Sequence, residues 1–483
     1  MNSLFTDCYE MTMANADFLL NKQNEIGYFE MFFRDIPEKG GYAIFAGLEK
    51  ITEYLSNLQF SAEQLDYIKN QFDFCDEYLN ALENFKFECD VWSVKEGSII
   101  FPNEPIMVVR GPMWQAMLVE VALLNSVNYQ SLIATKASRI VRAADGRKVI
   151  EFGARRAQGE DAALWGARAS YIGGVDGVSI VEAGMQFDIP VNGTMAHSFM
   201  QKYDSDFEAF SAYAKAFPHN CVLLLDTFDT LKSGLPAAIR VQKEILEPLG
   251  KKLKAVRVDS GDLGYLAKQL RKTFDDAGMA YVQIIVSNAL DEDKMRDLIN
   301  DQKAPIDIFG VGENLITSSR EPVFGGVYKL VAVELPDGQI SPRIKISENL
   351  EKTTIPSLKI PYRIFDRETG KAIADIITLY NEEVPSGKYE LFDPLDPTKR
   401  KNVKKFKAIP LLVPIFENGK MVYDLPIAED IRTYTIDQMD TLWDEAKRFN
   451  YPHKHYVDLS QSLYDLRENM IKERRGQVSI KGE

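Results

Sequence analysis

The middle of this chain alternates two kinds of signal, and that alternation restricts the fold more than any other feature. Short apolar, β-branched runs occupy residues 148–152, 187–191, 221–225, 255–258, 282–286 and 306–309, with a weaker one at 178–181. Segments of helical spacing separate several of them. Leu263, Leu266, Leu270 and Phe274 follow Asp262, a residue suited to capping a helix. Pro236, Ala238, Val241 and Ile245 form another such segment, and Met295, Leu298 and Ile299 a third. Strands that alternate with helices lie parallel in one sheet. Six or seven such units predict an α/β class protein with an irregular, TIM-like barrel, short of the usual eight strands. The other arrangement is an open doubly wound sheet. To bind a dinucleotide it would need a Gly-x-Gly-x-x-Gly turn, and the sequence has none.

The flanks read differently. Residues 1–130 mix helical segments with strand-like runs at 29–33 and 99–109. Residues 336–483 are strand-rich and punctuated by proline, with a helical segment at 437–449 and another near the C-terminus. The run at 327–333 reads as the last strand of the barrel. The expected organisation is a barrel over 131–335, with 1–130 and 336–483 packing together as an added α/β domain. The basic run at 399–407 adjoins 408–415, which contains Pro410 and Pro414. That pattern reads as an edge strand guarded by lysines rather than a nucleic-acid site.

Composition narrows the function classes. The 483 residues are 45% hydrophobic and 27% charged, which is ordinary for a globular protein. No 18-residue apolar run is present, so no membrane span is expected. The N-terminus lacks the basic and apolar regions of a signal peptide. Cys8, Cys75, Cys89 and Cys221 are far apart and form no Cys-x-x-Cys pair, which suits a reducing cytoplasm and gives no zinc module. A net charge of -14 disfavours general binding to nucleic acid or a membrane surface. An anionic ligand would have to be met by local arginines and backbone N–H groups.

The candidate strands end in polar residues. Gly153, Arg155 and Arg156 follow the first run, and Thr194 and His197 follow the run at 187–191. Asp226 and Asp229 come after 221–225, and Arg257, Asp259 and Asp262 belong to the next strand end. Ser287-Asn288 and Gly310-Val311-Gly312 complete the series. At the C-terminal end of barrel strands such residues face a ligand cleft. Arginine suits bidentate binding of phosphate or carboxylate. Ser-Asn and Gly-x-Gly turns offer N–H groups to a phosphate. Asp259 and Asp262 suit Mg²⁺ or a developing cation. One of only four histidines, His197 could act as base, acid or nucleophile, although a histidine taken alone is more often a core or capping residue. Together these ends call for a phosphorylated sugar, with magnesium, and a second anionic compound.

The strings TDCYEMTM (6–13), GGYAIFAG (40–47), EFGARRAQ (151–158), GTMAHS (193–198), DTFDTLKSG (226–234), VRVDSGDL (256–263) and FGGVYKL (324–330) resemble the nicotinate phosphoribosyltransferase family, in order along nearly the whole chain. The resemblance implies ATP-assisted conversion of nicotinate and 5-phosphoribosyl 1-diphosphate into nicotinate mononucleotide and pyrophosphate. It implies a transiently phosphorylated His197 and a nicotinate contact from Thr194 and Tyr9. It assigns substrate binding to Arg155 and Arg257, with Asp259 catalytic, and phosphate binding to Ser287, Asn288, Gly310 and Gly312. It implies the fold of type II phosphoribosyltransferases, and a homodimer in which Tyr9 serves the partner's site. Glu313 stands where some relatives have a threonine that contacts the sugar phosphate, so that contact is not carried over.

Pattern alone would place Tyr9 in a core stripe with Met13 and Leu20, and would let Asp226 and Asp229 cap a helix. His219, His453 and His455 read as surface or capping residues. The nearest rival is a nicotinamide phosphoribosyltransferase. Ser179 opposes it, because the amide-using relative has an aspartate there, which would repel a carboxylate. A metal-dependent lyase or hydrolase would need a tighter carboxylate/histidine cluster. A non-catalytic scaffold would not need polar strand ends.

Overall fold

The computed structural model describes residues 1–349, 352–384, 387–393, 396 and 398–479. The last residues of the C-terminal segment, 480–483, lie outside this set. The chain forms two compact units: Met1–Leu132, Val323–Pro426 and Thr433–Glu483 make one, and Ile133–Pro322 with Ile427–Arg432 the other.

The second unit holds a six-stranded parallel sheet. Its order is Gly177–Val178, Lys148–Glu151, Ile308–Val311, Gln283–Ser287, Ala255–Val258, Val222–Leu224. The first and last of the longer strands, Lys148–Glu151 and Ile308–Val311, are neighbours. Val222, Ala255, Ile285 and Ile308 pack together on one face. A valine or isoleucine such as Val222 or Ile285 contributes roughly 1.5–3 kcal/mol when fully buried, and the Ala255 methyl less. Helices run between the strands. Leu263–Asp276 begins as its sequence suggests, with the Asp262 carboxylate accepting the Tyr265 N–H at 3.0 Å. The segment from Pro236 is helical over Leu235–Val241 and continues as a wider turn through Gln242–Leu246.

The run at 187–191 is not a strand. Val181–Phe187 is a helix, which buries Ala183 and Phe187 one turn apart and exposes Val181 and Met185. Asp188 ends it in the left-handed region at φ 54°. Pro190 has no N–H to give to a ladder, so only a single parallel bridge forms, between Val178 and Val191. The strand expected at 178–181 stops at Val178, because the helix capped by Ile180 begins at Val181. Among the described residues nothing pairs Val191 with Val222–Leu224, so the sheet is open there and the closed barrel is not seen.

The first unit draws on both ends of the chain. Its seven-stranded sheet runs Ile340–Pro342, Gly326–Glu334, Ile26–Phe33, Met107–Pro112, Asp90–Val94, Leu412–Glu417, Lys420–Met421. The run at 327–333 therefore belongs here and not to the parallel sheet. It pairs antiparallel with Ile26–Phe33, with Met31 opposite Tyr328. The expected edge strand at 408–415 divides in two at Leu411. Phe406–Pro410 is the edge of a four-stranded sheet, where Pro410 costs no ladder bond, and Leu412–Glu417 enters the seven-stranded one. The helical segment expected at 437–449 is Ala428–Thr441, followed by a short turn of helix at Asp444–Lys447, and the one expected near the C-terminus is Gln461–Ser479.

His455 is neither exposed nor a cap. It lies buried in this unit, its ring stacked on Phe101 with centroids 3.9 Å apart and Nε2 3.2 Å from Asp375. The Tyr9, Met13, Leu20 stripe is corrected in the other direction. The helix Cys8–Leu19 buries Glu10, Met11, Ala14 and Asn15 and leaves Tyr9 and Met13 exposed, as is its C-cap Leu20.

Candidate active site

Register gathers the polar strand ends on one face of the parallel sheet. Ile285 lies beside Arg257, Ser287 beside Gly310, and Gly310 beside Ile150. Side chains two residues apart share a face. Arg257, Asp259, Ser287, Gly310 and Phe152 therefore face the same way, as does Asp226 beyond Leu224. Gly310 is needed there: a Cβ would come within 2.6 Å of the Phe152 ring.

These residues form one network. The Arg257 guanidinium donates from Nε to Ser287 Oγ at 3.0 Å and from Nη2 to Asp259 Oδ1 at 3.1 Å. Its carbon lies 5.2 Å from the centre of the Phe152 ring. The Ser287 hydroxyl also donates to Asp259 Oδ1. Asp226 Oδ2 accepts the Asp259 N–H at 2.9 Å and the Ser260 hydroxyl at 2.6 Å. Its other oxygen is buried without a hydrogen-bond partner. Asp226 is thus not a helix cap. Asp229 fills that role, accepting from Leu231 and Lys232 N–H.

His197 opens a short helix, His197–Met200, and is half-buried. Its Nδ1 lies 3.2 Å from Thr227 Oγ1, one residue beyond Asp226. Thr194 is also half-buried, and its hydroxyl meets the Met195 carbonyl at 3.4 Å.

The two phosphate-type turns are tied together, and the first is shaped by backbone strain. Asn288 has φ 106° and Ala289 φ 44°, both left-handed and uncommon for residues other than glycine. The Asn314 amide, from the turn after Gly312, donates to the carbonyls of Ala289 at 3.0 Å and Leu290 at 3.2 Å. Behind them Glu292 is buried between Lys136 at 2.8 Å and Arg139 at 3.2 Å. Glu313 is exposed, with Oε2 3.7 Å from Arg156 Nε. Arg156 therefore has an acidic partner, while Arg155 is exposed on the turn Ala154–Arg156.

Ser179 is half-buried just beyond Val178. Glu151, on the adjacent strand, is fully buried, and burial pushes its carboxyl up to about 7. In the first unit, partial burial and the acidic neighbours Glu120, Glu10 and Asp7 push the Tyr9 phenol up to about 12. Asp262 spends its carboxylate on the helix cap. Among the described residues no three histidine, cysteine or acidic side chains gather where they could hold a metal. Sequence reasoning passed over Thr227 and Glu151; it placed Asp226 among the polar strand ends and left a helix cap as the alternative, which the hydrogen bonds to Asp259 and Ser260 exclude.

Comparison with known proteins decides the family. Residues 4–128 match the nicotinate phosphoribosyltransferase (NAPRTase) N-terminal domain, 147–380 the NAPRTase family and 358–467 the C-terminal domain. The nicotinate phosphoribosyltransferase of Bacillus subtilis is 43% identical over 99% of this chain and 96% of its own length. The chain belongs to the nicotinate phosphoribosyltransferase family. The human member is 32% identical over 96% of this chain and 95% of its own. The crystal structure of human nicotinic acid phosphoribosyltransferase superposes with a TM-score of 0.85, at 30% identity, covering 96% of this chain and all of that one. A nicotinate-nucleotide pyrophosphorylase from Pyrococcus furiosus shares the fold, with a TM-score of 0.69 at 24% identity. The network around Arg257, together with His197, Ser179 and both phosphate-type turns, lies within the 147–380 family match, and Tyr9 within the N-terminal one.

Proposed function

We propose that this protein joins nicotinate to 5-phosphoribosyl 1-diphosphate, giving nicotinate mononucleotide and pyrophosphate in the salvage of NAD, with ATP hydrolysed to ADP and phosphate. The observation that carries the reading is the network of Arg257, Asp259, Ser287 and Asp226 at the ends of adjacent parallel strands, beside the strained Asn288-Ala289 turn, the Gly310–Gly312 turn tied to it, and His197. Arg257 binds an anionic substrate, Arg155 assists at the neighbouring turn, and Ser287, Asn288, Gly310 and Gly312 hold phosphate. As the bond from ribose to diphosphate breaks, positive charge develops on the sugar ring, and the Asp259 carboxylate stabilises it. Thr194 and Ser179 border the base, and Ser179 offers no charge to repel the nicotinate carboxylate. His197 is the acceptor for the ATP γ-phosphate: its Nδ1 is engaged by Thr227, which makes Nε2 the nucleophile.

Mg²⁺ fits this site only as a companion of the diphosphate. The described residues build no three-ligand cage, but the unpartnered Asp226 oxygen and Asp259 could meet a substrate-borne ion. Bound there, it would offset charge on the leaving pyrophosphate. Asp262 is the weaker ligand because of its cap.

The six parallel strands and Val191 act as the staves of an irregular barrel with its seam between Val191 and Val222. The adjacency of the first and last longer strands supports this reading. The exposed face of the Cys8–Leu19 helix supports a homodimer in which Tyr9 completes the partner's site. Four free cysteines support a cytoplasmic setting, and no described helix is long and apolar enough to cross a membrane. The test is product formation by purified protein from nicotinate or nicotinamide, each with and without ATP. Mononucleotide from nicotinate, faster with ATP, is expected. Use of nicotinamide alone would overturn the reading.

A further inference from the structure

The segment after the Gly310–Gly312 turn reaches back to the Asn288-Ala289 turn at several points. The Asn314 amide donates to the carbonyls of Ala289 at 3.0 Å and Leu290 at 3.2 Å. A carbonyl only accepts, so the NH₂ end of this amide faces the turn, and its oxygen is left for the Ser319 hydroxyl at 2.7 Å. Arg320, the next residue, pairs with Asp291 at 3.0 Å and Asp293 at 2.7 Å. Lys294 Nζ also donates to the Ala289 carbonyl, at 2.7 Å, but Lys294 is exposed whereas Asn314 is half-buried. Asn288 and Ala289 both hold left-handed backbone that costs energy in a residue with a side chain, so the turn keeps its shape only where its surroundings impose it. A trans peptide points its C=O and its N–H in opposite directions. Holding the carbonyls of Ala289 and Leu290 on the Asn314 side therefore turns the N–H groups of Leu290 and Asp291 the other way. Among the described residues those two N–H groups donate to no protein acceptor, which leaves them to the phosphate read at this turn. Glu313, at the second turn, brings no donor of its own, because a carboxylate only accepts, and it lies 3.7 Å from Arg156.

We propose that Asn314 is a positioning residue for the sugar phosphate: it acts through the Asn288–Asp291 turn rather than on the ligand, and it sets affinity for the phosphoribosyl donor and not for the base. The proposal rests on the phosphoribosyl reading above. A purely structural role would move every kinetic constant together with the melting temperature. A positioning role separates the two substrates.

The experiment compares wild type with Asn314→Leu, which fills the volume and donates nothing, and Asn314→Asp, which keeps the shape and the Ser319 bond but sets an acceptor against the two carbonyls. Ribose 5-phosphate is the probe, titrated calorimetrically without base or ATP. In both variants its Kd should rise at least about tenfold, the worth of two neutral hydrogen bonds. KM for 5-phosphoribosyl 1-diphosphate should rise by a similar factor. KM for nicotinate and the nicotinate-to-nicotinamide ratio should stay within about threefold. Ribose 5-phosphate bound equally by wild type and variant, or not bound by wild type, would overturn the proposal, as would an equal loss for both substrates that follows Tm. Should Asn314→Leu fail to fold, Asn314→Asp decides alone on the same readings. A wild-type enzyme inert toward nicotinate would sink the functional reading instead, and the ribose 5-phosphate titration would still decide what Asn314 does.

Discussion

The Nδ1 of His197 faces the Oγ1 of Thr227 across 3.2 Å, and Thr227 follows directly on Asp226, whose carboxylate holds the Asp259 loop. The candidate nucleophile and the candidate catalytic carboxylate are thus set by consecutive residues of one turn. His197→Ala should abolish ATP stimulation and acid-labile labelling from γ-labelled ATP, with slow ribosyl transfer remaining. Thr227→Val should slow labelling about tenfold, the worth of one neutral hydrogen bond, and Thr227→Ser should restore it. Full labelling of His197→Ala would remove that residue from the reaction.

Arg257 is part-buried against Asp259, Ser287 and the Phe152 ring. Arg257→Ala should cost on the order of 2–5 kcal/mol in binding or transition-state energy, because the anionic substrate and Asp259 both lose their partner. Steady-state kinetics with both substrates reads this directly. Constants equal to wild type would place the arginine outside the site.

Ser179 supplies the selectivity prediction. Nicotinate is an anion, whereas nicotinamide is neutral and carries two N–H donors. Ser179→Asp should weaken use of nicotinate and gain measurable use of nicotinamide, with little change in melting curve. A stable variant with an unchanged specificity ratio would move selectivity to Arg155 or Arg257.

Glu151 gives the protein a pH signature. Its folded-state value is raised from about 4.5 to about 7 by burial, so the folded protein binds this proton more tightly than the unfolded chain does. The group's stabilisation is therefore full below pH 4.5 and is lost as pH rises through 7, a change of about 3 kcal/mol. Glu151→Gln carries no such proton. Its melting temperature relative to wild type should rise by a few degrees between pH 5 and pH 8.5. A difference that stays flat across that range would show that Glu151 is already ionised in the fold.

The parallel strands and their polar ends were readable because each is a short β-branched run closed by Asp, Arg, Ser or Gly. The same reasoning failed at 187–191, where Phe187 satisfies a helix with Ala183 as well as it satisfies a strand, and Pro190 decides the matter. It also missed Glu151. An acid inside an apolar run looks like a strand end, and only register shows that it turns away from the cleft. Pattern alone places Tyr9, Met13 and Leu20 in a core, because an apolar stripe does not say whether its cover is the same chain; only the family resemblance gives Tyr9 a role at the site. His455 was assigned to the surface because its partners, Phe101 and Asp375, are remote in sequence.

The pairing of Met31 with Tyr328 also governs the order in which the chain can assemble. On a ribosome, Ile26–Phe33 emerges early and finds Met107–Pro112 soon after. Its second edge must wait until the whole parallel sheet has been made. Throughout that interval a strand of Tyr, Phe and Met residues carries unpaired backbone groups, the kind of edge that recruits other chains. Completion of the N-terminal unit is therefore a late event. A nascent chain that stalls before Gly326 has its parallel strands in hand and its first sheet unfinished.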